Sequence, residues 1–153
     1  MIDIKKILEE IQSIELYKTE REKSIRKFRG MQIPLQESKN ELVYDENSHL
    51  IGSEKDIKEF IYDLPYTNSI LKKHNIFRAR LLTLPPKSCY IYHKDPTQRF
   101  HIPLITHPYC FFIIEEEVYH FPADGTYNIV DTTKMHTAVN ASEINRYHIV
   151  GCL

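Results

Sequence analysis

The sequence predicts a mainly β domain of the jelly-roll type, a double-stranded β-helix with N-terminal helices packed on it. The second half of the chain contains short β-rich runs that recur about every eight to twelve residues between Pro, Gly, Asn, Asp or Ser signals. No helical pattern interrupts them, which favours two packed antiparallel sheets over a parallel α/β sheet. The predicted strands are Phe77–Leu84, Cys89–His93, Phe100–Thr106, Tyr109–Ile114, Glu117–Phe121, Thr126–Val130, His136–Asn140 and Arg146–Cys152.

Three segments of the N-terminal half have helical signals. Residues 4 to about 15 carry apolar side chains at helical spacing behind Asp3, which is placed to cap the helix. A segment that Ser53 would cap, Glu54–Tyr62, predicts a second helix, and Asn68–His74 predicts a third after a proline break. These helices are expected to cover one side of the sheet.

The other N-terminal segments predict little regular structure. Met31–Leu35 alternates briefly and predicts an edge strand, where proline is tolerated. The polar stretch Gln36–Ser53 predicts a loop with room for one more strand. Leu16–Arg29 is dense in charge and either continues the first helix or forms a solvated loop.

Length and composition indicate one domain, residues 1–153, with a helical and loop part over 1–75 and a jelly-roll core over 76–153. The chain has 42% apolar and 27% charged residues and a formal net charge of -1, so it lacks the basic field of a nucleic-acid-binding protein. No signal peptide or membrane-length apolar run is evident, and a cytoplasmic location with no membrane partner is expected. Three cysteines without a CxxC pair argue against a disulfide framework.

Two histidines and one aspartate predict a metal site. His93 and Asp95 are two residues apart, so in a strand both side chains point the same way. If His136 reaches the same point from another strand, two nitrogens and one oxygen leave other coordination positions open, as in non-haem Fe(II) oxygenases. An isolated H-x-D pattern also occurs at surface turns, so it needs further support.

Polar residues in later strands give that support. Arg99 and His101 are again two apart and face the way His93 faces if the strands are neighbours, although such an arginine can instead pair with an acid at a sheet edge. Arg146 interrupts an apolar terminal strand, and a buried arginine needs a partner such as a carboxylate. The polar turn Asp131–Met135 precedes His136 and can fix how it enters the site.

Two further residues can point into the interior of the predicted jelly roll. His148 shares a face with Arg146 and is either adjacent to the site or a satisfied core histidine, and Asn140 follows His136 by four residues. The sequence has no Ser-His-Asp elbow, phosphate-binding glycine loop or pair of catalytic carboxylates, which excludes the common hydrolase and nucleotide-binding patterns.

Taken together, the motifs over residues 76 to 152 resemble the aspartyl/asparaginyl β-hydroxylase family of Fe(II)- and 2-oxoglutarate-dependent oxygenases, which have a cupin-like jelly roll. The motifs that carry the resemblance are Arg78–Pro86, His93-Lys94-Asp95, Arg99–Leu104, Val118–Pro122, Asp131-Thr132, His136 with Asn140, and Arg146 with His148.

The resemblance implies a role for each site residue. Fe(II) would be bound by His93, Asp95 and His136. Arg146 would hold the distal carboxylate of the co-substrate 2-oxoglutarate, with Arg99 and His101 at its other end near the metal, and O₂ would be the second co-substrate. One departure is Leu82, which stands where some relatives place a hydroxyl beside the co-substrate arginine.

Two function classes follow from these residues. The first is an oxygenase that hydroxylates an amino acid side chain, either free or within a peptide or protein; the lack of an appended repeat domain favours a small substrate. The second is a non-catalytic, cupin-like protein that binds a metal and a small acid. A closed four-ligand site that includes His101 or His148 would favour the second class, because catalytic metals keep an open position. A third interpretation has no metal and treats the polar residues as an inward hydrogen-bond network.

Overall fold

The structure is a computed structural model that describes residues 1–14, 31–47 and 50–153. The predicted charged segment Leu16–Arg29 lies outside the described residues. The helices are α1 (Ile4–Ile11) and α2 (Pro65–Lys73). The strands are β1 (Met31–Pro34), β2 (Gln36–Ser38), β3 (Val43–Tyr44), β4 (Leu50–Ile51), β5 (Ile57–Phe60), β6 (Phe77–Leu84), β7 (Ser88–Cys89), β8 (Arg99–Ile105), β9 (Cys110–Ile114), β10 (Glu117–Tyr119), β11 (Asn128–Val130), β12 (His136–Asn140) and β13 (Arg146–Cys152).

Two antiparallel sheets form most of the described structure. The larger sheet has the strand order β1-β6-β13-β8-β11, and the smaller has the order β10-β9-β12-β7. Two short ribbons, β2 with β5 and β3 with β4, complete the pairing. The mainly β class predicted from the strand-rich second half is confirmed, and β12 and β13 have the predicted boundaries.

The two faces of the larger sheet have opposite chemistry because successive side chains point to opposite sides. One face carries apolar residues that share a hydrophobic cluster with Ile7 and Ile11 of α1 and Leu71 of α2. The sheet residues in this cluster include Ala79, Leu81, Phe100, Ile102, Leu104 and Ile149. The opposite face carries the polar side chains of Arg99, His101, Arg146 and His148. The hydrophobic core therefore lies on one side of the sheet and the candidate site on the other.

A smaller apolar cluster joins the polar face of the larger sheet to the smaller sheet. Leu84 and Val130 of the larger sheet pack with Phe112 and Ala138 of the smaller sheet, and all four side chains are buried. The two sheets therefore face each other, and the space beside this cluster is where the site forms.

The predicted helix Glu54–Tyr62 is wrong. Ser53 does cap a turn, since its hydroxyl accepts a hydrogen bond from the backbone N–H of Lys55, but this is a single 3₁₀ turn over Glu54–Asp56. The chain then continues as β5, which pairs with β2 and satisfies its backbone groups in a ribbon. Pairing with a distant segment therefore outweighs the local helical propensity of these residues.

Other boundaries differ by a few residues from the prediction. Helix α2 begins at Pro65, whose fixed φ suits a first helical turn, rather than at Asn68. The predicted strand Cys89–His93 is reduced to β7, and His93 instead forms an isolated bridge with His136. Across the described ranges, the structure contains no helix with the length and apolar character that spanning a membrane requires.

Candidate metal and carboxylate site

The neighbouring residues His93 and Asp95 meet the distant residue His136 between the two sheets. One ligand atom from each of His93, Asp95 and His136 lies within 4.8 Å of the other two. The Nε2 atoms of His93 and His136 are 3.7 and 3.5 Å from the two carboxylate oxygens of Asp95. Among the described residues this is the single cluster of at least three potential metal ligands. The sequence prediction that these residues converge is met by the geometry.

The backbone fixes the relative position of the two histidines. The N–H of His93 donates to the carbonyl of His136 at 3.0 Å, and the N–H of His136 donates to the carbonyl of His93 at 2.9 Å. Asp95 is held in the same way, because its N–H donates to the carbonyl of Thr132 at 2.8 Å. The turn before His136 therefore positions both that histidine and the carboxylate.

Hydrogen bonds to carbonyl groups also set the tautomers of both imidazoles. Nδ1 of His93 lies 2.5 Å from the carbonyl oxygen of Ile91, and Nδ1 of His136 lies 2.9 Å from that of Lys134. A carbonyl oxygen can only accept, so each Nδ1 carries a proton and donates. In the neutral rings the lone pair is then on Nε2, the atom that faces Asp95, which is the state that a metal ligand requires.

The protonation of the cluster follows from burial and charge. Burial by itself would raise the pKa of Asp95, but the hydrogen bond with His136 and the charge of Arg99 outweigh it and hold the pKa at about 2. Burial lowers the pKa of His136, whereas its hydrogen bonds to Asp95 and to the Lys134 carbonyl raise it, with a net increase. The bond to Asp95 belongs to the protonated ring, and a metal ion would replace the proton on Nε2. An anionic oxygen beside two imidazole nitrogens is a donor set that suits a divalent transition metal, so these residues fit Fe(II).

Arg99 holds Asp95 in place from behind. Its Nε is 3.2 Å from Oδ2 of Asp95, while its two terminal nitrogens lie 3.1 and 3.2 Å from the two carboxylate oxygens of Glu54. Glu54 also pairs with Arg78 at the edge of the sheet. Burial raises the pKa of Glu54, but Arg99 and Arg78 lower it further than burial raises it, so it is an anion. Arg99 is therefore already paired with two carboxylates.

His101 and His148 form a buried pair next to this cluster. Their Nδ1 atoms are 3.4 Å apart, and Nε2 of His148 has no hydrogen-bond partner among the described residues. A buried acceptor without a partner is tolerated more readily than a buried N–H, so His148 donates through Nδ1 and leaves Nε2 bare. His101 then accepts at Nδ1 and carries its proton on Nε2. Neither histidine belongs to the three-residue ligand cluster.

A cavity of about 130 Å³ connects these groups. Its wall contains the three candidate ligands together with Arg99, His101 and Arg146. The remaining lining residues are Gln32, Arg80, Leu82, Tyr90, Phe112, Thr132, Ala138 and Val150. All six site residues expected from the sequence therefore border one cavity.

Arg146 is a buried guanidinium without a counterion among the described residues. The residue is 2% exposed, and its Nε has no hydrogen-bond partner in the part of the chain that the structure describes. Burial lowers the pKa of Arg146, with Tyr90 acting in the opposite direction. The hydroxyl of Tyr90 is likewise buried and unpartnered. Two unpaired donors that border one cavity could both donate to an anionic group.

Sequence reasoning missed several residues of this site, among them Tyr90, Arg80 and Glu54. Arg80 borders the cavity from β6, and Glu54 orients Arg99 from a segment that was predicted to be helical. Arg80 carried the same signal as Arg146, a charge in an otherwise apolar strand on the same face as Leu82 and Leu84. Glu54 carried no comparable signal, because its partner is 45 residues away.

A family model described as aspartyl/asparaginyl beta-hydroxylase matches residues 3–151. The chain belongs to this family. The resemblance seen in the second half of the sequence is thereby confirmed and extends through the N-terminal half. Among proteins with curated descriptions, none matches the chain at a significant level.

Solved structures with similar folds include cupin domains. One is a cupin domain from Bordetella pertussis Tohama I, with 13% identity over 82% of this chain and 95% of that chain and a TM-score of 0.46. Another is a predicted oxalate decarboxylase from Thermotoga maritima, with 19% identity over 54% of this chain and 72% of that chain and a TM-score of 0.41.

Proposed function

We propose that the protein is an Fe(II)- and 2-oxoglutarate-dependent oxygenase that hydroxylates an amino acid side chain, either free or within a peptide or protein. Family membership supports a hydroxylase. The observation that carries the co-substrate assignment is the pairing of a three-ligand cluster with an unpaired buried guanidinium in one cavity.

His93, Asp95 and His136 would hold the metal ion, with the tautomers and the carboxylate charge described above. A bound Fe(II) would supply the activation of O₂ that inserts oxygen into a C–H bond. Three side chains of the described residues would contribute ligands, which would leave coordination positions for exchangeable groups, as catalysis requires.

Arg146 would bind the distal carboxylate of 2-oxoglutarate. A guanidinium donates two parallel hydrogen bonds to a carboxylate, and a buried site strengthens that pairing. The unpartnered hydroxyl of Tyr90, which borders the same cavity, would add a third donor in place of the hydroxyl that Leu82 lacks. Binding the dianion would thus satisfy groups that are otherwise buried without partners.

His101 would donate a hydrogen bond to the carboxylate of 2-oxoglutarate that lies next to the metal. Its proton on Nε2 makes it a neutral donor, and burial, reinforced by Arg146, lowers its pKa to about 3. The ring therefore stays uncharged at neutral pH and can donate to a carboxylate without adding a further cation. Arg99 would act on the same end through Asp95, which it orients.

Access to the metal would be from the side of His93. The His93 side chain is 42% exposed, whereas that of His136 is 5% exposed. A substrate C–H bond would approach there, while the apolar cluster on the far side excludes water from the Arg146 end.

The test is 2-oxoglutarate turnover by the Fe(II)-loaded protein. Succinate formation that is stimulated by a member of an amino acid and peptide panel, with a mass gain of one oxygen in that member, is the expected result. His136→Ala should abolish metal binding and turnover together, and Lys87→Gln, an exposed charge change, serves as the matched control. Metal binding without any 2-oxoglutarate affinity would count against the proposal and favour a metal-binding protein.

A further inference from the structure

His148 is a buried histidine that the proposed function does not use. The residue is 2% exposed, and the cavity wall includes its neighbour His101 but not His148 itself. In the ladder of the larger sheet, His148 lies opposite Leu82 of β6 and Pro103 of β8, whose side chains form no hydrogen bonds. A buried polar ring among apolar neighbours is costly unless it is hydrogen-bonded, so the polar contact that it does make is informative.

His101 is the single hydrogen-bond partner of His148 among the described residues. The two Nδ1 atoms are 3.4 Å apart, and the ring planes are nearly perpendicular, at 86°. The ring of His101 also contacts Phe112 and Phe121, with centroid distances of 5.4 and 6.1 Å, but these rings carry no hydrogen-bonding nitrogen or oxygen. His148 is therefore the residue that can decide which nitrogen of His101 carries the proton.

Two proton arrangements are possible for this pair of neutral rings. If His101 donated from Nδ1, it would leave a lone pair on Nε2 for the cavity, and His148 would bury an N–H at Nε2 that has no partner. If His148 donates instead, its unpartnered Nε2 is an acceptor, and the nitrogen that His101 leaves for the cavity carries a proton. Buried N–H groups without partners are the rarer case in proteins, which favours the second arrangement.

We propose that His148 is a positioning residue that keeps His101 in the tautomer that donates to 2-oxoglutarate. This inference rests on the proposed function, in which His101 donates to the carboxylate next to the metal. Without the N–H of His148, the ring of His101 could carry its proton on Nδ1 and turn a lone pair toward that carboxylate. With it, the ring has the required tautomer and orientation before the co-substrate binds.

Nitrogen NMR of the imidazole rings in the metal-free protein tests the tautomers. In the wild type, His101 should be protonated at Nε2 and His148 at Nδ1. His148→Leu removes the N–H, so His101 should populate both tautomers. His148→Asn, whose side-chain nitrogen can take the position of Nδ1, should restore the Nε2-protonated form. A His101 ring that is protonated at Nδ1 in the wild type would overturn the inference.

Binding of 2-oxoglutarate to the Mn(II)-loaded protein tests the consequence for the co-substrate. His148→Leu should weaken binding by about 10-fold, the scale of one hydrogen bond to a charged group, and His148→Asn should recover most of the loss. Metal affinity should be unchanged in both variants, because His148 is outside the three-residue ligand cluster. Lys87→Gln, an exposed charge change, should alter neither affinity.

A double-mutant cycle separates this role from a purely structural one. If His148 acts through His101, adding His148→Leu to His101→Leu should cause no further loss of 2-oxoglutarate affinity, since the donor is already absent. Additive losses, or an unchanged affinity in His148→Leu alone, would contradict the positioning role. A wild-type protein that binds Mn(II) but no 2-oxoglutarate would overturn the proposed function together with this role. The tautomers of the metal-free protein would then still show whether His148 controls the proton of His101.

Discussion

At the scale of single residues, the metal cluster depends on charges that lie outside it. Glu54 neutralises one side of Arg99, and the other side of the same guanidinium contacts Asp95. Without Glu54, the full cationic charge of Arg99 would fall on Asp95 and weaken this carboxylate as a ligand for a second cation. The chain Arg78–Glu54–Arg99–Asp95 thus links the sheet surface to the candidate metal site.

Glu54→Gln should therefore lower metal affinity by about 10- to 100-fold, the usual effect of removing a residue that orients a ligand. Titration of the metal-free protein with Mn(II) measures this. Glu59→Gln, which removes a surface carboxylate paired with Lys39, is the matched control and should have no effect. Equal metal affinity of Glu54→Gln and wild type would show that Asp95 needs no such support.

Arg146→Ala should retain the metal and lose 2-oxoglutarate affinity. The expected cost is about 2 to 5 kcal/mol, because a buried carboxylate would lose its charged partner. Calorimetry with Mn(II) present measures the co-substrate, and metal titration of the same variant verifies that the cluster is intact. Unchanged 2-oxoglutarate affinity would remove Arg146 from the site.

Sequence alone could predict the residues whose signals are local. His93 and Asp95 follow from side-chain alternation, and Arg146 follows from a charge in an apolar strand. Arg80 carries the same signal, within the motif Arg78–Pro86. The role of Arg99 could not be foreseen in full, since its partner Glu54 comes from a distant turn.

At the scale of elements, β13 is the most constrained strand, since it pairs with both β6 and β8 and all its residues are buried. Gly151 lies within it and against Ile76. A Cβ added at Gly151 would lie 2.1 Å from Cγ2 of Ile76 and 3.4 Å from the carbonyl oxygen of Phe77. The strand and the segment before β6 therefore approach more closely than a side chain at position 151 permits.

Gly151→Ala should lower the free energy of unfolding by about 1 to 3 kcal/mol, the typical cost of overpacking a core. In Gly151→Ala/Ile76→Ala, the clash is removed, so the double variant should lose less stability than the sum of the two single variants. Urea unfolding of the four proteins measures the difference. Additive losses would contradict steric conflict between these two positions.

Element prediction succeeded where pairing and patterning agree. The strands β6, β12 and β13, which turn signals bound on both sides, have the boundaries predicted from the sequence. It failed at Glu54–Tyr62, where Ser53 caps a single turn and the following residues pair with β2 as a strand. Such pairing depends on a segment about 20 residues away, which no local pattern encodes.

At the scale of the whole molecule, the inner face of the larger sheet contains titratable groups that folding removes from water. Burial lowers the pKa of His101 to about 3 and that of His148 well below its usual range, and Arg146 acts in the same direction on both. Both rings are neutral when folded and take up protons near pH 6.5 when unfolded. The unfolded state therefore binds more protons in acid, and stability must fall as pH decreases below about 6.5.

Each of these two histidines should contribute a slope of up to about 1.4 kcal/mol per pH unit in the metal-free protein. His136 partly offsets this, because its raised pKa favours the folded state at lower pH. Urea unfolding between pH 7.5 and 5 tests the sign, and His148→Gln should make the decline shallower. A stability that is constant or rises toward pH 5 would contradict neutral, buried imidazoles.

The division of the larger sheet into an apolar and a polar face affects how its ligand specificity can be engineered. Cavity-lining residues and core residues occupy alternate positions on the same strands. Exchanging cavity-lining side chains such as Arg80 or Leu82 would change the ligand surface while leaving the helix-covered layer untouched. A library restricted to Gln32, Arg80 and Leu82 would keep Arg78 on Glu54 and Leu84 in the cluster between the sheets.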